Sequence, residues 1–199
     1  GWFDSEGEDL TAPVELEKID ALVKVKKRWS TSVGDGQGKG FFKIRPALSE
    51  GVLYVASSDG EVAAIDAVDG DKRWSVSLER PLSGGVGYHA GGLYLGGADG
   101  SVLQLSADDG SMVWEATVSG EVLAAPAVSD DWIIGQTDDG KLLGFETGAE
   151  TPTWTYTSDV PVLTLRGTST PLLIGDNAIA GFGDGKVVAI DLDSGNVSW

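Results

Sequence analysis

Short apolar runs alternate along this chain with glycine-containing turns, and the alternation repeats. Val62-Ala-Ala-Ile-Asp66, Val102-Leu-Gln-Leu-Ser106, Leu142-Leu-Gly-Phe-Glu146 and Val187-Val-Ala-Ile-Asp191 are too short for helices and partly β-branched, so they predict strands buried on both faces. Each is preceded by Asp-Gly, at Asp59-Gly60, Asp99-Gly100, Asp139-Gly140 and Asp184-Gly185. Asp-Gly between apolar runs predicts a hairpin closed by a type I′ turn, in which both central residues take φ > 0. A second turn follows at Asp69-Gly70, Asp109-Gly110, Thr147-Gly148 and Ser194-Gly195.

Tryptophan keeps the same beat, at Trp29, Trp74, Trp114, Trp154 and Trp199, with intervals of 45, 40, 40 and 45 residues. That period holds four short strands and their turns, which is the unit of a β-propeller blade. The expected fold is therefore all-β, a propeller of four-stranded antiparallel blades. Four blades are assigned, at 44–78, 83–118, 122–157 and 170–199. Their first strands lie near Pro46-Ala47, Ser83 to His89, Pro126-Ala127 and Pro171. The second strands are Val52 to Ser57, Leu93 to Gly97, Trp132 to Gln136 and Ala178 to Phe182. The regular tryptophans are expected to pack across each junction to the next blade and to donate the indole N–H to a backbone carbonyl. Trp132 is off this register.

Residues 1–28 precede the repeat as a tail, acidic from Asp4 to Asp9 and basic up to Arg28. The stretch Trp29-Ser-Thr-Ser-Val33 carries the repeat's tryptophan without a blade before it, so it is expected to be a ring-closing strand. The repeat breaks off inside an outermost strand at Trp199, so the four blades read as part of a ring whose natural chain is expected to run further. Blades bury their faces against neighbours, and a half ring leaves two apolar faces uncovered. Self-association of this chain is the expected consequence.

Composition narrows the function. The net charge of −17 repels nucleic acid and anionic lipid surfaces. Eight of the 14 basic residues fall between Lys18 and Arg45, and the run Lys24 to Arg28 reads as a solvated flank. With no cysteine, the chain has no disulfide, thiolate zinc site or cysteine nucleophile. No run of eighteen apolar residues exists to span a membrane, and the start lacks signal-peptide features, as in a processed form.

Catalytic readings find little support. His89 is the only histidine and has no G-x-S-x-G elbow, so it reads as a strand-end residue. Gly34 to Gly40 lacks the spacing of a phosphate loop and reads as a surface loop. Asp66/Asp69, Asp108/Asp109 and Asp191/Asp193 lack the alternating carboxylates of a calcium loop, and Asx-turn chemistry accounts for them. No catalytic residue, cofactor or metal is assigned.

One segment departs from the period, because blade three to blade four takes 45 residues instead of 40 and the extra length falls in Val160 to Thr170. Leu163, Leu165 and Arg166 lie there, in a connection between blades three and four that should emerge beside the Asp139 and Asp184 hairpins. Two leucines beside an arginine in a loop have the composition of a protein-contact hot spot.

The turns Ala64-Ile-Asp66 to Gly70 and Ala189-Ile-Asp191 to Gly195 resemble the repeats of pyrroloquinoline-quinone enzymes and their non-enzymatic relatives. Trp29-Ser-Thr-Ser-Val-Gly34, Trp74-Ser-Val-Ser-Leu78 and above all Leu163-Thr-Leu-Arg-Gly-Thr-Ser-Thr-Pro171 resemble the BamB family of the outer-membrane β-barrel assembly machine. That resemblance implies an eight-bladed, lipid-tethered propeller on the periplasmic face of the outer membrane, scaffolding BamA through its POTRA domains. It matches Leu163, Leu165 and Arg166 to the family's BamA-binding loop, and raises unfolded outer-membrane proteins as a further partner. The lipidated cysteine would stand just before Gly1 and is absent from this sequence, and the family's acidic contact residues would fall beyond Trp199. The competing readings are a quinone-dependent dehydrogenase, which would need an adjacent-cysteine disulfide and calcium, and a generic interaction module.

Overall fold

The computed structural model describes residues 22–38, 42, 44–159 and 169–199. The described residues form fifteen strands in four antiparallel sheets, with no helix among them. The first sheet runs β1 (Ala47–Ser49), β2 (Val52–Ala56), β3 (Glu61–Asp66) and β4 (Lys72–Ser77), neighbours in that order. The second repeats it with β5 (Leu82–His89), β6 (Gly92–Gly97), β7 (Ser101–Ser106) and β8 (Met112–Thr117). The third follows with β9 (Ala127–Val128), β10 (Trp132–Gln136), β11 (Lys141–Glu146) and β12 (Trp154–Thr157). The fourth has three strands, β13 (Leu172–Ile174), β14 (Asn177–Gly181) and β15 (Val187–Asp191). A bridge from Ile190 to Val197, with Ser198 N–H bonding the Ala189 carbonyl at 2.8 Å, starts a fourth strand beside it.

The core is divided by junction. Tyr54, Val62 and Ala64 of the first sheet pack with Leu93, Leu103 and Leu105 of the second. Tyr94 and Val102 pack with Ile133, Leu143 and Phe145, and Ile134 and Leu142 with Ala178, Val188 and Ile190. Each fully buried leucine or isoleucine contributes roughly 1.5–3 kcal/mol, so the sheets hold together by what lies between them. This is the blade-on-blade arrangement of a β-propeller.

The turns correct one expectation. At Asp59-Gly60 only the glycine has positive φ, 99°, and Asp59 does not. Gly60 N–H bonds the Ser57 carbonyl at 3.1 Å and Ser57 N–H bonds the Glu61 carbonyl at 2.9 Å. Asp-Gly therefore fills the last two positions of an ordinary turn whose final residue, the glycine, is left-handed, not the two centres of a type I′ turn. The hairpins at Gly140 and Gly185 close in the same way. Positive φ at two successive residues occurs instead between first and second strands, at Glu50-Gly51 (48° and 76°) and Ala90-Gly91 (44° and 78°).

No ladder pairs Trp29 to Val33, the expected ring-closing strand, with any described strand. A strand exists by its neighbour, and the described residues supply none there. The segment nevertheless occupies the place of a preceding blade's edge. Trp29 donates to the Ala67 carbonyl at 3.2 Å, and Ser58 N–H bonds the Gly36 carbonyl at 2.7 Å. The latter bond recurs between Ala98 and Pro81 and between Asp138 and Glu121, so 34–38 sits as an inter-blade connection does.

A turn glycine can be required by its φ alone or also by what lies against it. Gly110 has φ 76°, and a Cβ there would stand 2.8 Å from a Trp74 ring carbon, whereas Gly148 has φ 86° with nothing within 4 Å. Gly148→Ala should cost about 1–2 kcal/mol, the left-handed penalty alone. Gly110→Ala should cost about 1–3 kcal/mol more, the overpacking penalty of the displaced indole. Urea denaturation of the two variants checks this, and equal losses would refute the packing argument.

Candidate functional site

Antiparallel pairing sorts the loops of every blade onto two edges. One edge carries the turns between first and second strands and the second turns of the repeat. Ala67 N–H to the Gly51 carbonyl (2.9 Å), Ala107 to Gly91 (2.8 Å), Thr147 to Asp131 (2.8 Å) and Leu192 to Asp176 (2.9 Å) tie these two sets together. The other edge carries the Asp-Gly hairpins and the connections from blade to blade.

Each regular indole reaches over a junction. Trp74 donates to the Ala107 carbonyl at 3.0 Å, Trp114 to Ala149 at 3.0 Å and Trp154 to Leu192 at 2.8 Å, all in the following blade's second turn. Two extra residues between Gly148 and Trp154 are absorbed in the turn, because Trp154 still pairs with Gly144 as Trp74 pairs with Ala64. Trp199 is 65% exposed. Off-register Trp132 is buried, 6.2 Å from Trp154 between ring centroids, so it belongs to the third junction's core.

On the hairpin edge, the turn carboxylates bond within their own loops. Ser57 bonds Asp59, and Thr137 and Lys141 both bond Asp139. The Ser101 hydroxyl donates to Asp99 at 2.6 Å. Lys186 holds Asp184 by an ammonium contact of 2.8 Å and a backbone N–H at 3.0 Å, and Ser158 adds a hydroxyl at 2.9 Å. The side-chain bond from Lys186 is the largest cause that lowers the Asp184 carboxyl from 3.8 to about 2. On this edge Lys72 pairs with Glu61 (3.2 Å) and Arg80 with Glu115 (2.6 Å).

The departing connection is fixed at both described ends. Ser158 and Asp159 start it at the fourth hairpin, where Lys186 stands 3.8 Å from Asp159. At its far end Ser169 donates to Gln136 Oε1 at 3.1 Å and accepts from Gly181 N–H at 3.0 Å. Gln136, 2% exposed, donates to the Gly181 carbonyl at 2.8 Å and so joins blades three and four at that point. Leu163, Leu165 and Arg166, the residues singled out for partner binding, lie outside the described residues. The polar lock of Gln136, Ser169 and Gly181 was not foreseen, and a lone glutamine in a strand gives little warning of it.

The remaining candidates have local roles. His89 ends β5 and its Nε2 lies 2.7 Å from Asp130 Oδ1, a cross-blade contact. Asp66 and Asp69 accept from Val68 and Asp71 N–H at 2.9 and 3.0 Å, as Asx turns do. Among the described residues no three His, Asp or Glu gather where they could hold a metal.

Sheets in blade order, indoles bridging consecutive blades and turns that consume their own carboxylates define a repeat-built β-propeller of the pyrroloquinoline-quinone type. The family model described as "Outer membrane protein assembly factor BamB" matches residues 23–80 and 58–199, and the chain belongs to that family. The BamB of Pseudomonas aeruginosa is 44% identical over 187 residues, 94% of this chain and 49% of its own. The crystal structure of BamB from Moraxella catarrhalis superposes with a TM-score of 0.73 at 26% identity, over 78% of this chain and 47% of that one. This chain spans about half the length of the curated relatives it matches. A quinohemoprotein alcohol dehydrogenase from Pseudomonas putida, at TM-score 0.62 and 17% identity over 77% of this chain and 33% of its own, shares the fold alone. The relatives are named as an assembly factor and not as an enzyme, in agreement with the non-catalytic reading.

The depressed hairpin carboxylates fix the sign of the acid response. A group whose folded pKa lies below its ordinary value adds stability above that ordinary value, and loses it as pH falls through the folded pKa. For Asp184 the window runs from 3.8 down to about 2. The melting temperature is expected to be insensitive to this group from pH 7 to pH 5 and to fall below pH 4. Asp184→Asn should lower it at pH 7 and shrink the drop in acid, and a drop of unchanged size in thermal scans would contradict this origin.

Proposed function

We propose that the protein is a non-catalytic scaffold of the outer-membrane protein assembly machinery, working at the periplasmic face of the outer membrane from an N-terminal lipid anchor. Its docking element is the connection between blades three and four, which engages the POTRA domains of BamA. Leu163 and Leu165 supply apolar contact, and Arg166 pairs with a carboxylate of the partner.

The observation that carries this reading is the anchoring of residues 158, 159 and 169 on one edge of the molecule, around the Asp184 hairpin and the Gln136 lock. A connection held at both ends costs less ordering on binding than a free one. Lys141 and Lys186, the lysines flanking this site, already have carboxylate partners within it. Arg166 is the cation assigned to meet an acidic partner, where a well-placed pair sets both orientation and rate of encounter. Membership of the BamB family supports the assignment of the machinery.

Arg166→Glu in the full-length protein should weaken binding to purified POTRA domains by about 2 kcal/mol or more, the scale of an interface hot spot. Leu163→Ala with Leu165→Ala should act in the same direction. Unchanged circular dichroism and lost co-purification are the expected pair of results. Retained binding by a folded Arg166→Glu protein would refute the docking element.

A further inference from the structure

The opposite edge of the molecule holds a groove. It lies where the first and second blades meet, encloses about 210 Å³, and is lined by Tyr54, Tyr88, Trp74, Glu50, Asp108 and Arg73 among others. Tyr54 and Tyr88 stack with centroids 5.6 Å apart at 15°, and Trp74 stands 6.3 Å from Tyr54. Tyr88 is 38% exposed, whereas Tyr54 is 6% exposed and its hydroxyl has no hydrogen-bond partner among the described residues. A buried hydroxyl without a partner costs roughly what a lost hydrogen bond does, so this one is available to an incoming group.

The charges are unevenly used. Arg73 is taken by Asp66 at 2.8 Å, while Glu50 and Asp108 have no ion-pair partner among the described residues. Burial raises the Tyr54 hydroxyl above its ordinary range, with Tyr88, Asp108 and Glu50 acting the same way and Arg73 against them. These groups thus share one electrostatic environment with a net negative charge.

Blade packing does not explain this set. In the strand register Tyr54 corresponds to Tyr94, and Tyr88 to Val128. The next junction therefore closes with an aliphatic side chain where this one places an exposed tyrosine, and Ala90 stands where Glu50 does. Aromatic faces and unpaired carboxylates attract the same kind of ligand, a cation. The volume takes one side chain and is below the usual range for a free small-molecule ligand. A net charge of −17 draws basic segments toward the whole surface.

We propose that this groove receives a cationic side chain, a lysine or arginine, of a partner polypeptide running along the second-turn edge. Tyr88 and Trp74 offer ring faces, Glu50 and Asp108 offer counter-charge, and the Tyr54 hydroxyl accepts a hydrogen bond from the cation. The site stands apart from the docking connection, on the other edge, and does not depend on it.

The test uses the intact protein with 15N-labelled tryptophan, titrated with acetyl-Gly-Lys-Gly amide and with its norleucine analogue, which keeps the stem and lacks the ammonium. The Trp74 indole signal, assigned from Trp74→Phe, should shift and saturate with the lysine peptide, and the norleucine peptide should bind about tenfold more weakly. Glu50→Gln with Asp108→Asn, both exposed positions, should weaken the lysine peptide at least about fivefold with the melting temperature unchanged. Equal binding of the two peptides, unchanged binding by the double variant, or movement of the Trp132 signal without that of Trp74 would each overturn the proposal.

Discussion

The structure depends on one contact repeated along the chain, an indole that leaves the edge of its own sheet and donates its N–H to a carbonyl in the next blade's second turn. Four copies are described, at Trp29, Trp74, Trp114 and Trp154, with acceptors at 2.8–3.2 Å. The hydrogen bond contributes only about 1 kcal/mol net. Its larger effect is geometric, because the ring must lie flat over the accepting turn before the bond can form. That turn is therefore built without a side chain where the ring passes. Gly70, Gly110 and Gly195 answer both demands at once, a left-handed φ and an empty Cβ position under Trp29, Trp74 and Trp154. Gly148 meets only the first, and there Trp114 reaches for Ala149 in a turn whose glycine lies two residues earlier.

Much of this was written in the sequence, because the contact spans a narrow range of residue separations. An indole and its acceptor are separated by 33 to 38 residues in every described copy, so spacing alone reveals the blades. Turn type was less legible. Asp-Gly is compatible with a two-residue hairpin and with the end of a longer turn, and the difference lies in whether Ser57 and Glu61 close the ladder around it. The double left-handed turns fell on Glu50-Gly51 and Ala90-Gly91, where a glutamate and an alanine carry positive φ against their intrinsic preference. Trp29 to Val33 has the composition of a strand, yet pairing is a property of two segments and only one of them is in view.

Sites formed between blades were the least legible part. Gln136, Ser169 and Gly181 belong to three different loops and strands, and His89 meets Asp130 only because adjacent blades bring their first turns together. Tyr54 and Tyr88 look like two ordinary strand residues until the register places them on facing blades. A one-dimensional pattern encodes what each repeat has in common, and these groups are what the repeats do not share.

That contrast separates scaffold from function. The indole, its carbonyl and the hairpin closure recur, so variation there would weaken a junction and with it the neighbouring blades. The positions between those fixed points are free to differ, and the molecule differs at two of them on opposite edges. On the hairpin edge the difference is length, a connection whose described ends are pinned by Asp184 and Gln136. On the second-turn edge it is chemistry, a junction with Tyr88, Glu50 and Asp108 in place of aliphatic or small residues. The two edges are joined only through the sheets, and a sheet with its ladder intact transmits little rearrangement from one end of a strand to the other. On the two proposals made above, occupancy of one edge leaves the other open, and neither partner has to move the blades.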